Sequence, residues 1–125
     1  MRILTGTDII EINRIKRSID ELDDAFKSKI YTKKEIDYCE SKNQGKYQHY
    51  AARFAAKEAT FKAVSTLLEN KFSLSWQDIE VTNNSEGKPE VTILKDNLKE
   101  KIEDIDISIS HCKEYAVANV VAIIS

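Results

Sequence analysis

Cysteine is scarce in this chain: Cys39 and Cys112 are its only two, far apart and in no metal-ligand spacing. That argues against a thiolate metal centre and points to free thiols in a reducing, cytoplasmic setting. No apolar run approaches bilayer length, and Met1-Arg2-Ile3-Leu4 opens directly into a strand-like pattern. Neither a membrane span nor a cleavable signal peptide is expected. A net charge of −2 does not suit a general nucleic-acid binder, which is usually basic overall. Repeats, low-complexity tracts and linkers are absent too, so the 125 residues are expected to form one domain, 1–125, around one modest core. The Gly87-Lys88-Pro89 segment lacks the glycine spacing and the Lys-Ser/Thr pair of a Walker loop.

What the chain does contain is ordered periodicity. Residues 2–10 read as a strand, with Ile3, Leu4, Ile9 and Ile10 flanking Gly6 and two threonines. A helix is expected from Glu11, since Ile12, Ile15 and Ile19 recur at helical spacing. Helices follow at 23–30 and 33–41, the second announced by the capping-box pair Thr32 and Glu35. The longest helix is expected over 46–69. Tyr47, Tyr50, Phe54, Phe61 and Leu68 share one face, and six alanines between 51 and 63 allow a neighbour to approach closely. Strands are expected at 76–82 and 90–94, joined by a loop of turn formers, with a short helix at 96–103. The C-terminus reads as a hairpin. Ile105, Ile107 and Ile109 alternate with polar residues, and His111–Glu114 lead into the apolar run 115–124. Helices and antiparallel strands in mixed order make the fold class α+β, with a long central helix on an antiparallel sheet.

Two segments carry chemistry: GTDIIEINRI from Gly6 and RFAAKEATFKA from Arg53. Asp8 falls where a strand runs into a basic helix. Glu58 lies about 40° around the long helix from Phe54, inside the stripe meant for the core. A carboxylate there needs a partner. A hard cation and an arginine are both open as that partner. Two carboxylates leave a magnesium shell incomplete, which suits an enzyme whose substrate supplies phosphate oxygens. Lys62, one turn on, can offset charge on a bridging phosphate or pair with Glu58, and spacing alone favours the pair. His111 reads as a phosphate contact or turn residue, and His49 as a surface or packed residue. Arg14, Lys16 and Arg17 form a small basic cluster that can steer an acidic partner or simply face solvent.

These motifs, with FKSKIYTKKE (residues 26–35), WQDIEV followed by GKP, and ISISH near the end, occur in an order and spacing that resemble the holo-acyl-carrier-protein synthases. That family belongs to the 4′-phosphopantetheinyl transferase superfamily, and the resemblance spans essentially the whole chain. It implies transfer of the phosphopantetheine arm of coenzyme A to a serine of acyl carrier protein, in fatty acid biosynthesis. It implies Asp8 and Glu58 as magnesium ligands and Lys62 beside the pyrophosphate. Arg53 and His111 match positions near the coenzyme A phosphates, and Gly87-Lys88-Pro89 the loop near the adenine. Arg14 and Arg17 match the docking surface for the carrier protein, and the active site is implied to be shared within a homotrimer. Two positions depart from the family pattern: Leu4 and the segment Val64-Ser65-Thr66 stand where glycines are usual.

Glu58 or a metal-bound water is the candidate base for the serine proton. A magnesium-dependent phosphohydrolase and a non-catalytic coenzyme A or carrier-protein binding module are the rival readings. The basic cluster argues against the first, and the intact Asp8, Glu58 and Lys62 against the second.

Overall fold

The computed structural model describes residues 1–125, Met1 to Ser125. Strand β1 (Arg2–Glu11) runs directly into helix α1 (Ile12–Leu22), followed by α2 (Asp24–Ile30) and α3 (Lys33–Glu40). A 3-10 turn, Asn43–Gly45, leads into the central helix α4 (Lys46–Val64). Strands β2 (Ile79–Asn83) and β3 (Pro89–Ile93) form a hairpin, and the single-turn helix α5 (Asp96–Lys99) leads into β4 (Asp104–His111) and β5 (Tyr115–Ile124). The main sheet is antiparallel, in the order β1-β5-β4.

Alanine on alanine sets the spacing of helix and sheet. Central strand β5 turns Ala116, Ala118, Val120 and Ala122 inward, and α4 meets them with Ala51, Ala55, Ala56, Ala59 and Ala63, all buried. Gly6 of β1 completes this contact. A Cβ there would collide with the carbonyl oxygen of Ala59 and lie 2.7 Å from the Ala63 nitrogen. Only glycine lets β1 lie this close to the helix backbone. Leu4, one of the departures from the family pattern, fills a small apolar cluster with Ala122 and Ile124.

The expected α+β architecture is present, and Ile12, Ile15 and Ile19 are all buried on α1. The Thr32–Glu35 capping box forms as expected. Three elements are shorter than the sequence suggests. The long helix stops at Val64 instead of continuing to 69, because the Ser65 hydroxyl donates to the Lys62 carbonyl (3.1 Å) and a 3-10 turn, Ser65–Leu67, follows. Residues 76–78 are not strand. Asp78 accepts from the Ser75 amide (2.8 Å) and hydroxyl (3.0 Å), which winds Trp76–Asp78 into a 3-10 turn. The helix over 96–103 is a single turn, since the Glu103 amide bonds the Ile123 carbonyl (2.8 Å) and draws the chain into the sheet.

The inward face of α4 also differs from the aromatic stripe. Arg53, Lys57 and Thr60 are buried among the alanines, whereas Phe54, Glu58 and Phe61 lie half-buried at the margin. Small residues can approach the sheet; the aromatics instead close on Trp76, with ring centroids 5.1 Å (Phe54) and 5.4 Å (Phe61) away.

Candidate active site

Asp8 is the third inward residue of β1 after Leu4 and Gly6, and the close approach at Gly6 lays it beside the last turns of α4. Glu58 and Lys62 precede Ala59 and Ala63, the two alanines against which Gly6 packs. Strand and helix thereby bring together three residues up to 54 positions apart. Lys62 Nζ lies 3.1 Å from Asp8 Oδ1 and 3.0 Å from the Thr7 carbonyl oxygen. The sequence-favoured pair of Lys62 with Glu58 does not form; the lysine turns to β1, which offers two acceptors. Nor does Glu58 pair with an arginine.

Glu58 is left as a carboxylate without a cation. Burial raises its pKa, the neighbouring charge of Asp8 raises it further, and Lys62 only partly offsets this. Asp8 and Glu58 share a groove of about 320 Å³ with Ile10, Arg14, Phe26 and Phe54. Asp8 and Glu58 are the only histidine, cysteine or carboxylate side chains that line this groove. That set suits a hard cation that keeps waters or takes substrate oxygens.

Arg53 faces another groove, of about 490 Å³, lined among others by Lys34, Tyr38, Lys42, Asn83 and Gly87. Its guanidinium stacks 4.0 Å from the Tyr38 ring centroid and donates to Asn83 Oδ1 at 2.6 Å. Arg53 is only 3% exposed, and its Nε has no hydrogen-bond partner. Lys42 also lies over Tyr38 (4.7 Å), and His49 meets the ring edge-on (5.4 Å). Burial lowers the pKa of His49, and the positive fields of Arg53, Lys42 and His111 lower it further. The cationic groups therefore surround one tyrosine, a setting for an anionic ligand. Gly87 supplies the turn residue at φ 86° that closes the β2–β3 hairpin, and Pro89 opens β3 opposite Asn83.

Other candidates are more dispersed. Lys88 is tied to β4, 2.7 Å from Asp106 Oδ1, and His111 is exposed at the end of that strand. Arg14 and Arg17 are exposed on α1, with Arg14 at the rim of the carboxylate groove. Sequence reasoning passed over Tyr38, Lys42 and Asn83, although the i, i+4 spacing of Tyr38 and Lys42 places them on one side of the chain.

Fold and site define an α+β protein in which a strand and a long helix set two carboxylates in one groove, with a lysine held against one of them, an arrangement suited to phosphate chemistry. A superfamily-wide sequence description, ACPS: 4′-phosphopantetheinyl transferase superfamily, matches residues 5–120. The chain belongs to that superfamily. It is 48% identical over 123 residues to the holo-[acyl-carrier-protein] synthase of Ruminiclostridium cellulolyticum, covering 94% of this chain and 90% of that protein. Identity to the Chloroherpeton thalassium holo-[acyl-carrier-protein] synthase is 42% over 116 residues, with 93% of both chains covered. The crystal structure of the Helicobacter pylori synthase in complex with coenzyme A superposes with a TM-score of 0.84 at 29% identity, covering 96% of this chain and 100% of that one. The Bacillus anthracis synthase in complex with CoA (3′,5′-ADP) gives 0.78 at 36% identity, covering 98% and 96%.

Proposed function

We propose that this chain transfers the 4′-phosphopantetheine group of coenzyme A to a serine hydroxyl of apo-acyl carrier protein, in fatty acid biosynthesis. The products are holo-acyl carrier protein and adenosine 3′,5′-bisphosphate. The observation that carries the reading is the meeting of Asp8, Glu58 and Lys62 across β1 and α4, in a chain whose relatives are holo-[acyl-carrier-protein] synthases.

In the reaction the serine oxygen bonds to the β-phosphorus as the bond from that phosphorus to the bridging oxygen breaks. The bridging oxygen leaves with the electron pair on adenosine 3′,5′-bisphosphate. Asp8 and Glu58 would hold a magnesium ion, which supplies Lewis-acid neutralisation of the pyrophosphate. Their hard oxygen chemistry fits that ion. Lys62 adds a positive charge beside the phosphates. Glu58, which lines the groove beside Asp8, is the side chain assigned to take the serine proton. Arg53, Lys88, Pro89 and His111 are assigned to the phosphorylated nucleotide end of the donor, and Lys42 and Tyr38 are assigned there too because they share a groove with Arg53. Arg14 and Arg17 are assigned to the carrier protein.

The active form is proposed to be a homotrimer with sites shared between copies. Arg53 and Glu58 are five residues apart, about 140° around α4, so the basic and carboxylate grooves lie on different flanks of one chain. A donor that needs both can find them on two copies. The outward sheet face supports this, with Ile3 60%, Ile9 63% and Val121 39% exposed. Val120 and Ile124, in the same apolar run 115–124, are buried beneath it. Free Cys39 and an exposed free Cys112 suit a reducing cytoplasm.

Mass spectrometry of apo-acyl carrier protein incubated with the chain, coenzyme A and magnesium tests the reading. A phosphopantetheine adduct on the serine is the expected result. Degraded coenzyme A with unmodified carrier protein would instead identify a hydrolase, and no change in either a binding module.

A further inference from the structure

Lys62 makes its contacts in one direction only. Its ammonium is held by Asp8 Oδ1 and the Thr7 carbonyl, which use two of its three donors. The two partners differ in freedom: the Asp8 side chain is 15% exposed on a paired strand, whereas that of Lys62 is 53% exposed on a flexible stem. Glu58, on the same groove, has no such cation. The site thus contains one neutralised carboxylate and one bare one.

On its other side Lys62 borders a second open groove, of about 450 Å³, lined by Phe61, Lys62, Ser65, Leu68, Asn70 and Lys71. Lys71 adds a positive charge there, Ser65 a hydroxyl, and no carboxylate lines it. An anion in that groove attracts the ammonium away from β1, and the stem of Lys62 is long enough to follow.

We propose that Lys62 competes with a divalent cation for Asp8, so that donor phosphates, by drawing the lysine off β1, raise the affinity of the carboxylate pair for the cation. The physical basis is charge. An ammonium 3.1 Å from Asp8 Oδ1 cancels much of the attraction that carboxylate offers and repels a dication directly. Removal of the lysine to a phosphate restores the full charge of the pair. By linkage, the cation then tightens donor binding by the same factor that the donor tightens cation binding. This inference rests on the cation site proposed above.

The experiment measures Mn²⁺ binding by loss of its free aqueous EPR signal, for wild type, Lys62→Gln and Asp8→Asn, with and without coenzyme A. Thermal melts establish that each variant is folded. Without coenzyme A, Lys62→Gln binds Mn²⁺ roughly two- to fivefold more tightly than wild type, the range for one partly screened ion pair. Coenzyme A tightens Mn²⁺ binding in wild type by more than in Lys62→Gln, the difference matching that factor. If Lys62→Gln binds Mn²⁺ no more tightly while Asp8→Asn loses binding, the competition is overturned and the cation site stands. Mn²⁺ binding by Asp8→Asn at wild-type strength overturns the carboxylate site and the competition with it.

Discussion

The Lys57 ammonium lies 2.6 Å from Glu35 Oε1, and both side chains are fully buried. Its other donors reach the Ile30 carbonyl (2.7 Å) and the Trp76 carbonyl (3.0 Å). Glu35 in turn accepts from the Thr32 and Val81 amides, each at 2.7 Å. One pair therefore ties α4 to the α2–α3 junction, to the turn before β2 and to β2 itself. Burial pulls the pKa of Lys57 down, and Glu35 opposes that pull.

Removal of one partner leaves the other charged and buried. Lys57→Met is expected to cost about 3–5 kcal/mol of stability. Urea unfolding followed by the fluorescence of the sole tryptophan, Trp76, reads this directly. A loss below about 1 kcal/mol, the range of exposed pairs, would show that the pair is not the tie described.

Gly6→Ala pushes β1 from α4, because the new Cβ meets helix backbone that cannot rotate away. The expected loss is about 1–3 kcal/mol, as for overpacked cores. Transfer activity should fall further than stability alone explains, since Asp8 separates from Glu58 and Lys62. Unchanged melting temperature and turnover would refute the need for this close approach.

Arg14 and Arg17 are exposed on α1, and rim charges chiefly speed encounter in a salt-sensitive way. Reversal of both to glutamate should raise the KM for acyl carrier protein strongly and leave coenzyme A binding nearly unchanged. Wild-type activity should also decline as salt rises. Steady-state kinetics with each substrate varied in turn decides it, and an unaltered KM for carrier protein places docking elsewhere.

Glu40 accepts the Tyr50 hydroxyl at 2.6 Å and pairs with Lys27 (3.2 Å) and Lys46 (3.4 Å). The Tyr50 hydrogen bond, helped by Lys27 and Lys46, holds its pKa below the ordinary glutamate value. The stabilisation is therefore present above that ordinary value and is lost as pH falls through the lowered one. Glu40→Gln should melt below wild type at neutral pH, and the gap should narrow in acid. A gap that is constant with pH would contradict the assignment.

Ile3→Asp with Val121→Asp places two charges on the outward sheet face. Sedimentation should show a trimer for wild type and smaller species for the double variant, with activity lost alongside. Mixed and reassociated Asp8→Ala and Arg53→Ala chains should regain part of the activity if each site draws on two copies. A wild-type monomer with full activity would end the shared-site reading.

Local pattern carried much of this architecture. The spacing of Ile12, Ile15 and Ile19 marks the inward face of α1, and the Thr32–Glu35 box marks the start of α3. Alternation in β4 and the run through β5 locate the C-terminal hairpin. Asp8, Glu58 and Lys62 stand out in the sequence as carboxylates and a lysine suited to phosphate, and the fold brings them together. Helix ends were less legible: the stop at Val64 depends on one hydroxyl's choice of acceptor.

The periodic elements and the two motifs that carry Asp8 and Glu58 are local, each resting on near neighbours in the chain. Tertiary structure decided which charges meet. Lys57 and Glu58 are adjacent, yet a rotation of about 100° buries one against Glu35 and leaves the other at a groove beside Asp8. No local pattern specifies that rotation. It follows from the alanine and glycine surfaces that let β1 and α4 touch, and from Lys57 acceptors contributed by α2, α3 and the turn at Trp76. The same contact turned Lys62 from Glu58 to Asp8, because β1 presents a carboxylate and a backbone carbonyl at the distance the lysine can reach.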